Sequence, residues 1–134
     1  MLRSPVVIAA FEGWNDAGEG ATGAVRALTE AWLAEPFADL DPEEFYDFTA
    51  NRPMVRLVDG RTREIDWPSN TFFHAALPDR PSDVVLLLGT EPGLKWRTFC
   101  EQIIDVVRDP DAPASDKQRN YIAALNTADG QVTA

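Results

Sequence analysis

The feature that most constrains this chain is a short apolar run, Val6-Val7-Ile8-Ala9-Ala10-Phe11, that passes directly into Glu12-Gly13-Trp14-Asn15-Asp16-Ala17-Gly18. A continuous run of β-branched and small apolar residues is the pattern of a buried parallel strand, because both of its faces must be covered. The glycines, Asn and Asp that follow form a loop through Gly20. From Ala21 to Leu33 the apolar positions Ala21, Ala24, Val25, Leu28, Ala31 and Trp32 recur at three- and four-residue steps, which predicts an amphipathic helix closed by Pro36. Strand, glycine-rich loop and helix in that order open a βαβ-type unit, so the chain is read as α/β.

The later segments extend this reading. Asp41-Pro42-Glu43-Glu44 combines a capping residue, Pro at the first helical position and acids in the first turn, which predicts a short helix. Val55 to Val58 and Thr62 to Trp67 flank Asp59-Gly60 and predict a hairpin. A further strand is expected over 71–77. Val84-Val85-Leu86-Leu87-Leu88 is the strongest strand signal and is expected at the sheet centre. Leu94 to Val107 predicts a second amphipathic helix with Trp96, Phe99, Cys100, Ile103, Ile104 and Val107 on one stripe, and Cys100 is expected as a buried, inert thiol. Asp109-Pro110-Asp111-Ala112-Pro113 breaks the chain, and Ser115 to Leu125 predicts a short helix before a frayed end.

Composition narrows the function classes. At 134 residues with 45% hydrophobic and 25% charged content, the chain suffices for one globular domain. The net charge of −10, almost all of it before Arg108, argues against nucleic acid and anionic membranes as partners. No apolar run spans a bilayer, and one cysteine without an export signal gives the cytoplasm as the expected compartment.

Candidate binding residues cluster after the two strongest strands. Glu12 and Asp16 could accept hydrogen bonds or hold a hard cation, and Trp14 could stack on a planar ligand; Asn15 lies between them. The bland alternative is a tight turn, with Trp14 over the sheet end and Asp16 at the helix start. No Lys follows where a phosphate loop needs one, so the loop is not read as one. Gly89-Thr90-Glu91-Pro92-Gly93 follows the second strand, so Glu91 would meet Glu12 and Asp16 if the strands are parallel neighbours, with Arg97 able to neutralise them. Asn51-Arg52-Pro53 could present a guanidinium to a carboxylate or fix its own loop. His74 is the single histidine, read as a partly buried strand residue. With one His and one Cys no zinc site or nucleophilic triad can be assembled, so no catalytic residue, metal or cofactor is assigned, and an enzyme is not the favoured reading.

Several ordered strings together resemble the PAC2 family, the proteasome-assembly-chaperone-like proteins, in its actinobacterial form. They are Val6 to Gly18, Tyr46-Asp47-Phe48 with Asn51-Arg52-Pro53, Ile65-Asp66-Trp67-Pro68, and Val85 to Gly89 with Glu91-Pro92 and Trp96-Arg97-Thr98-Phe99-Cys100. The resemblance covers about residues 5–107. It implies a partial, phosphorylase-like α/β sandwich with mainly parallel central strands, a central β-hairpin and helices on the sheet. Residues 1–107 would be the amino-terminal part of the domain and 108–134 a tail outside the family pattern. After Val107 the family's continuation is replaced, so a truncated, frame-shifted or fused chain is expected. The carboxy-terminal hydrophobic-Tyr-X tail of such chaperones is also absent. A noncatalytic interaction or assembly module is implied, with a protein partner or a homo-oligomer and with Trp96 among the contact residues. The alternatives are a small-molecule binder or enzyme using the Glu12–Gly18 and Gly89–Gly93 loops, or a chain with no activity of its own.

Overall fold

A computed structural model of the chain describes residue 2 and residues 4–108. The helix expected from Ser115 to Leu125, and the rest of that tail, lie outside the described residues. The α/β class is as expected. Six strands are described: β1 (Val6–Glu12), β2 (Glu35–Asp39), β3 (Met54–Val58), β4 (Thr62–Asp66), β5 (Thr71–Ala75) and β6 (Val84–Thr90). Three α-helices accompany them, α1 (Gly20–Ala31), α2 (Pro42–Phe45) and α3 (Trp96–Arg108), with a 3-10 turn over Ala17–Glu19 leading into α1.

Strands β1, β6, β5 and β2 form one sheet in that order. The parallel arrangement expected for the central strands holds for β1 and β6, which run in register from Val6↔Val84 to Glu12↔Thr90. The other two pairs, β5 with β6 and β2 with β5, are antiparallel, so the sheet is mixed. Strand β2 has no counterpart in the sequence reading, because Pro36 suggests a break. Proline is tolerated where no neighbour needs its missing N–H, and β2 lies at the edge of the sheet, with an irregularity between Pro36 and Ala38.

Both faces of the sheet are covered by helices. On one side Val25 of α1 joins Ala10, Ala75, Val84 and Leu86, with Leu28 and Trp32 packed against them. On the other, Phe99 of α3 and Phe45 of α2 join Leu40, Tyr46, Phe72, Val85 and Leu87. The Phe45 and Phe99 rings meet edge-on with centroids 5.2 Å apart, a favourable quadrupole arrangement. Asp41 caps α2 as its position suggests, its side chain accepting from Glu43 N at 3.0 Å.

Two expectations need correction. β1, read as a buried strand, is half exposed: Val6 retains 50% of its accessible surface against 8% for its partner Val84. Its far edge carries no strand among the described residues. Cys100, read as buried, is exposed. α3 buries Phe99 against the sheet but turns Trp96, Cys100 and Ile104 outward, so its apolar stripe is wider than the surface that covers it.

The β3–β4 hairpin stands apart from the sheet. Asp59 and Gly60 in its turn both have positive φ, at 54° and 69°, as a tight hairpin connection demands. Its register is held on one face by Arg56, which pairs with Glu64 at 2.8 Å and Asp66 at 2.9 Å.

Candidate functional site: a cavity at the ends of β1 and β6

Because β1 and β6 are parallel neighbours, the loops that follow them leave the same edge of the sheet. This is where α/β folds present ligand sites. A cavity of about 960 Å³ opens there, walled by both loops, by β2 and β5, by α1 through Arg26 and by the hairpin through Met54 and Ile65.

The two loops are stitched together. Glu91 N donates to Glu12 O at 2.9 Å, and Asn15 Nδ2 donates to Glu91 Oε1 at 3.0 Å. Gly13, at φ 147°, lies so close beneath Glu91 that a Cβ there would come within 2.5 Å of the carboxylate carbon. Gly89 is required more strictly, since a Cβ would fall 1.9 Å from Asn70 Oδ1. Asn70 is fully buried and acts as a hub: Nδ2 donates to the Tyr46 hydroxyl, and Oδ1 accepts from Thr90 N at 3.2 Å. The Tyr46 hydroxyl in turn donates to Thr90 O. Burial, partly offset by the Asn70 hydrogen bond, pushes the Tyr46 phenol up to about 12, so it stays a donor at all ordinary pH.

The residues singled out from the sequence divide into three groups. Glu12, Asn51, Arg52 and Glu91 line the cavity, with Trp14, 97% exposed, on its wall. Glu12 faces Arg26 at 3.9 Å, and Arg52 Nε donates to Thr49 O at 3.4 Å. Asn15, Glu91 and Trp96 border a smaller groove of about 440 Å³ between β1 and α3. Asp16 and Arg97 line neither.

Asp16 is nearly buried, and its Oδ1 accepts from Ala21 N and Thr22 N at 3.0 and 3.1 Å, its Oδ2 from Thr22 Oγ1 at 2.5 Å. The hydrogen bonds from the Thr22 side chain and then its backbone hold this carboxyl below the usual range. A Gly-x-Gly-x-x-Gly spacing, which the sequence reading took to be absent, is present at Gly18, Gly20 and Gly23. However, Gly20 and Gly23 are within α1, and the N–H groups that would greet a phosphate are taken by Asp16. The convergence expected of Glu12, Asp16 and Glu91 is therefore one of Glu12 and Glu91.

The wall also holds residues that sequence reading missed. Asp39, the last residue of β2, is only 8% exposed. Its Oδ2 accepts from Thr71 Oγ1 at 2.9 Å, while Oδ1 is buried without a partner. Desolvation pushes the Asp39 carboxyl up to about 6, against the smaller opposing effects of the Thr71 hydroxyl and the nearby N–H groups of Asn70 and Leu40. Neither N–H satisfies Oδ1, and Leu40 N donates instead to Asn70 O. The one signal for Asp39 was its place before Leu40 and the capped helix, and Pro36 concealed the strand that carries it. His74 lies in β5 away from the cavity, its Nε2 3.9 Å from Asp83 Oδ1.

An α/β sheet with helices on both faces and a cavity at the ends of its parallel strands defines an architecture, and by itself it names no activity. The PAC2 family pattern matches residues 10–112, and the chain belongs to the PAC2 family. It is similar to a PAC2 family protein from Streptomyces avermitilis, with 44% identity over 79% of this chain and 45% of that one, at a TM-score of 0.71. It is likewise similar to a proteasome-assembly chaperone homologue from Mycobacterium tuberculosis, with 47% identity over 78% of this chain and 44% of that one, at a TM-score of 0.70. A Corynebacterium glutamicum protein of unknown function shares the fold at 23% identity and a TM-score of 0.65, over 79% of this chain and 39% of that one. The chain thus spans less than half the length of these relatives. No curated protein matches it.

Proposed function

We propose that this chain is a noncatalytic protein-interaction module of the assembly-chaperone kind, acting through the face formed by β1 and α3. The observation that carries this reading is the exposed apolar surface there. Val7, on the same side of β1 as the groove residues Ala9 and Phe11, is exposed at a strand edge that has no neighbour among the described residues, and Trp96, 54% exposed, continues with Cys100 and Ile104 along α3 beside the apolar groove. A strand edge with unpaired backbone groups next to apolar side chains is a template for another chain. The family relationship supports the same reading, since one relative is named as a chaperone homologue. The first partner proposed is a second copy of the chain, giving a homo-oligomer in the cytoplasm, with neither nucleic acid nor membrane as partner. No described helix is long and apolar enough to cross a membrane.

Sedimentation velocity over a range of concentrations tests this. Concentration-dependent association is expected, weakened about five-fold or more by replacing Trp96 and Ile104 with Ala, as for residues at the centre of an interface. A single monomer boundary at every concentration, or association unchanged in the double variant, overturns the proposal. A second reading, small-molecule binding between the Glu12–Gly18 and Gly89–Gly93 loops, is favoured by the walled cavity at the sheet end.

A further inference from the structure

The two outer edges of the four-stranded sheet are built differently. β2 carries Pro36 and an irregularity between Pro36 and Ala38, devices that keep an edge strand from pairing with another chain. β1 has neither. It runs from Val6 to Glu12 with no proline and no charge before Glu12, and its outer edge has no neighbour among the described residues.

The ladder to β6 fixes which backbone groups that edge offers. Val6 N donates to Asp83 O and Glu12 O accepts from Glu91 N, both at 2.9 Å, so Val6, Ile8, Ala10 and Glu12 turn their backbone groups toward β6. The N–H and C=O groups of Val7, Ala9 and Phe11 therefore point outward. The side chains of the same three residues share the face that α3 covers. Phe11 meets Phe99 there with ring centroids 5.8 Å apart, and Ala9 lines the apolar groove.

β1 is also complementary to itself. A two-fold axis perpendicular to the sheet pairs a strand antiparallel with its own copy and keeps like faces together. With that axis at Ala9, Val7 stands opposite Phe11 of the second copy, Ile8 opposite Ala10, and Ala9 opposite Ala9. All seven residues of the strand are used, and Glu12 meets Val6 rather than another acid. Moving the axis to Ile8 sets Phe11 against Pro5, which has no N–H to donate, and moving it to Ala10 sets Glu12 against Ile8.

We propose that a second copy docks by pairing its β1 antiparallel to this one about a two-fold axis at Ala9, so that the two sheets become continuous. The outward backbone groups of Val7, Ala9 and Phe11 supply the ladder, and their side chains bring the apolar groove of each copy up to the axis. The assignment rests on the interaction reading given above and deepens it by naming the pairing element and its register.

The test is oxidative cross-linking of the full chain bearing Ala9→Cys or Val7→Cys, both exposed positions on one face of β1. It is run at a concentration where sedimentation velocity shows association, and peptide mass spectrometry identifies which cysteines are joined, so Cys100 is left in place. At the axis the two Cα atoms lie about 5.5 Å apart, within disulfide reach, whereas position 7 is about 14 Å from its counterpart. Ala9→Cys is expected to join through position 9 at least about ten-fold faster than Val7→Cys joins through position 7. Hydrogen exchange of the unaltered chain repeats the test without a variant. The Val7, Ala9 and Phe11 amides are expected to exchange at least about ten-fold more slowly in the associated sample than on dilution. Equal cross-linking rates, or association that leaves those amides unprotected, overturn the pairing while the interaction reading stands. Protection that dilution does not remove means that the chain covers its own edge, and it too overturns the pairing. A monomer at every concentration overturns the pairing and the interaction reading together.

Discussion

β1 and β6 read almost identically along the chain, yet the fold treats them differently. Each is an apolar run of Val, Ile, Leu or Ala ending at a loop with an acid, and each is paired to the other residue for residue. β6 has a strand on either side and helices over both faces, so Val85, Leu86 and Leu87 are completely buried. Among the described residues β1 has β6 on one side only, and Val6 and Val7 stay exposed. An apolar run therefore states what surroundings a strand is suited to, and whether those surroundings exist is decided by neighbours. The mismatch at β1, continued by the outward stripe of α3, is what motivates the interaction surface proposed above.

The sharpest way to break that comparison is to truncate one residue in each strand. Leu86→Ala in β6 should destabilise the chain by about 2–5 kcal/mol, as removal of a fully buried Leu does. Val6→Ala in β1 should cost less than about 1 kcal/mol, because half of its surface already faces water. Urea unfolding of the two variants at concentrations where copies are dissociated measures the difference, and equal losses would mean that β1 is covered within a single copy.

A smaller effect concerns Asp39, buried at the other sheet edge. Its folded-state pKa, about 6, lies above the ordinary 3.8 because burial disfavours the charge. The folded state then holds the proton more tightly than the unfolded chain. Stability from this group is fully present below pH 4 and is lost as pH rises to about 6. The loss amounts to about 2–3 kcal/mol by linkage. Asp39→Asn lacks this titration, so the variant should gain stability relative to the unaltered chain between pH 4 and pH 6 and keep the gain at pH 7. Subtracting the two unfolding curves removes the contributions of the Asp16 and Asp47 carboxyls, whose hydrogen bonds lower their pKa values and act in the opposite sense. A pH-independent difference would show that Asp39 carries its charge at no cost.

The smallest effect sharpens the comparison from the side of α3. Cys100→Ser should change unfolding free energy by less than about 0.5 kcal/mol, because the thiol is exposed. In the unaltered chain at high dilution, Cys100 should react with a thiol reagent at the rate of an accessible cysteine. Protection of the thiol that is lost on dilution would place α3 in a contact between copies.

Much of the fold is legible along the chain because it depends on local pattern. The run at Val84 to Leu88, the Asp41-Pro42 cap and the Asp59-Gly60 turn each carry their own instruction in neighbouring residues. The loop after β1 is legible as a place, and Glu12 and Glu91 meet there because parallel neighbours end at one edge. The role of Asp16 is half legible: its position before the helix suggests a cap, but only its three hydrogen bonds show that nothing remains for a ligand. Strand β2 and Asp39 are not legible, since Pro36 is acceptable only in a strand that one neighbour pairs.

By itself, then, the sequence determined the α/β class, the family and the loop that marks the end of β1, since each rests on short-range spacing of apolar, glycine and capping residues. Tertiary structure alone decided which of two similar strands is covered, which acids share a cavity, and that a carboxylate of β2 is buried with one oxygen unpaired. Those outcomes depend on burial and on contacts between residues far apart in the chain, and no local pattern encodes them.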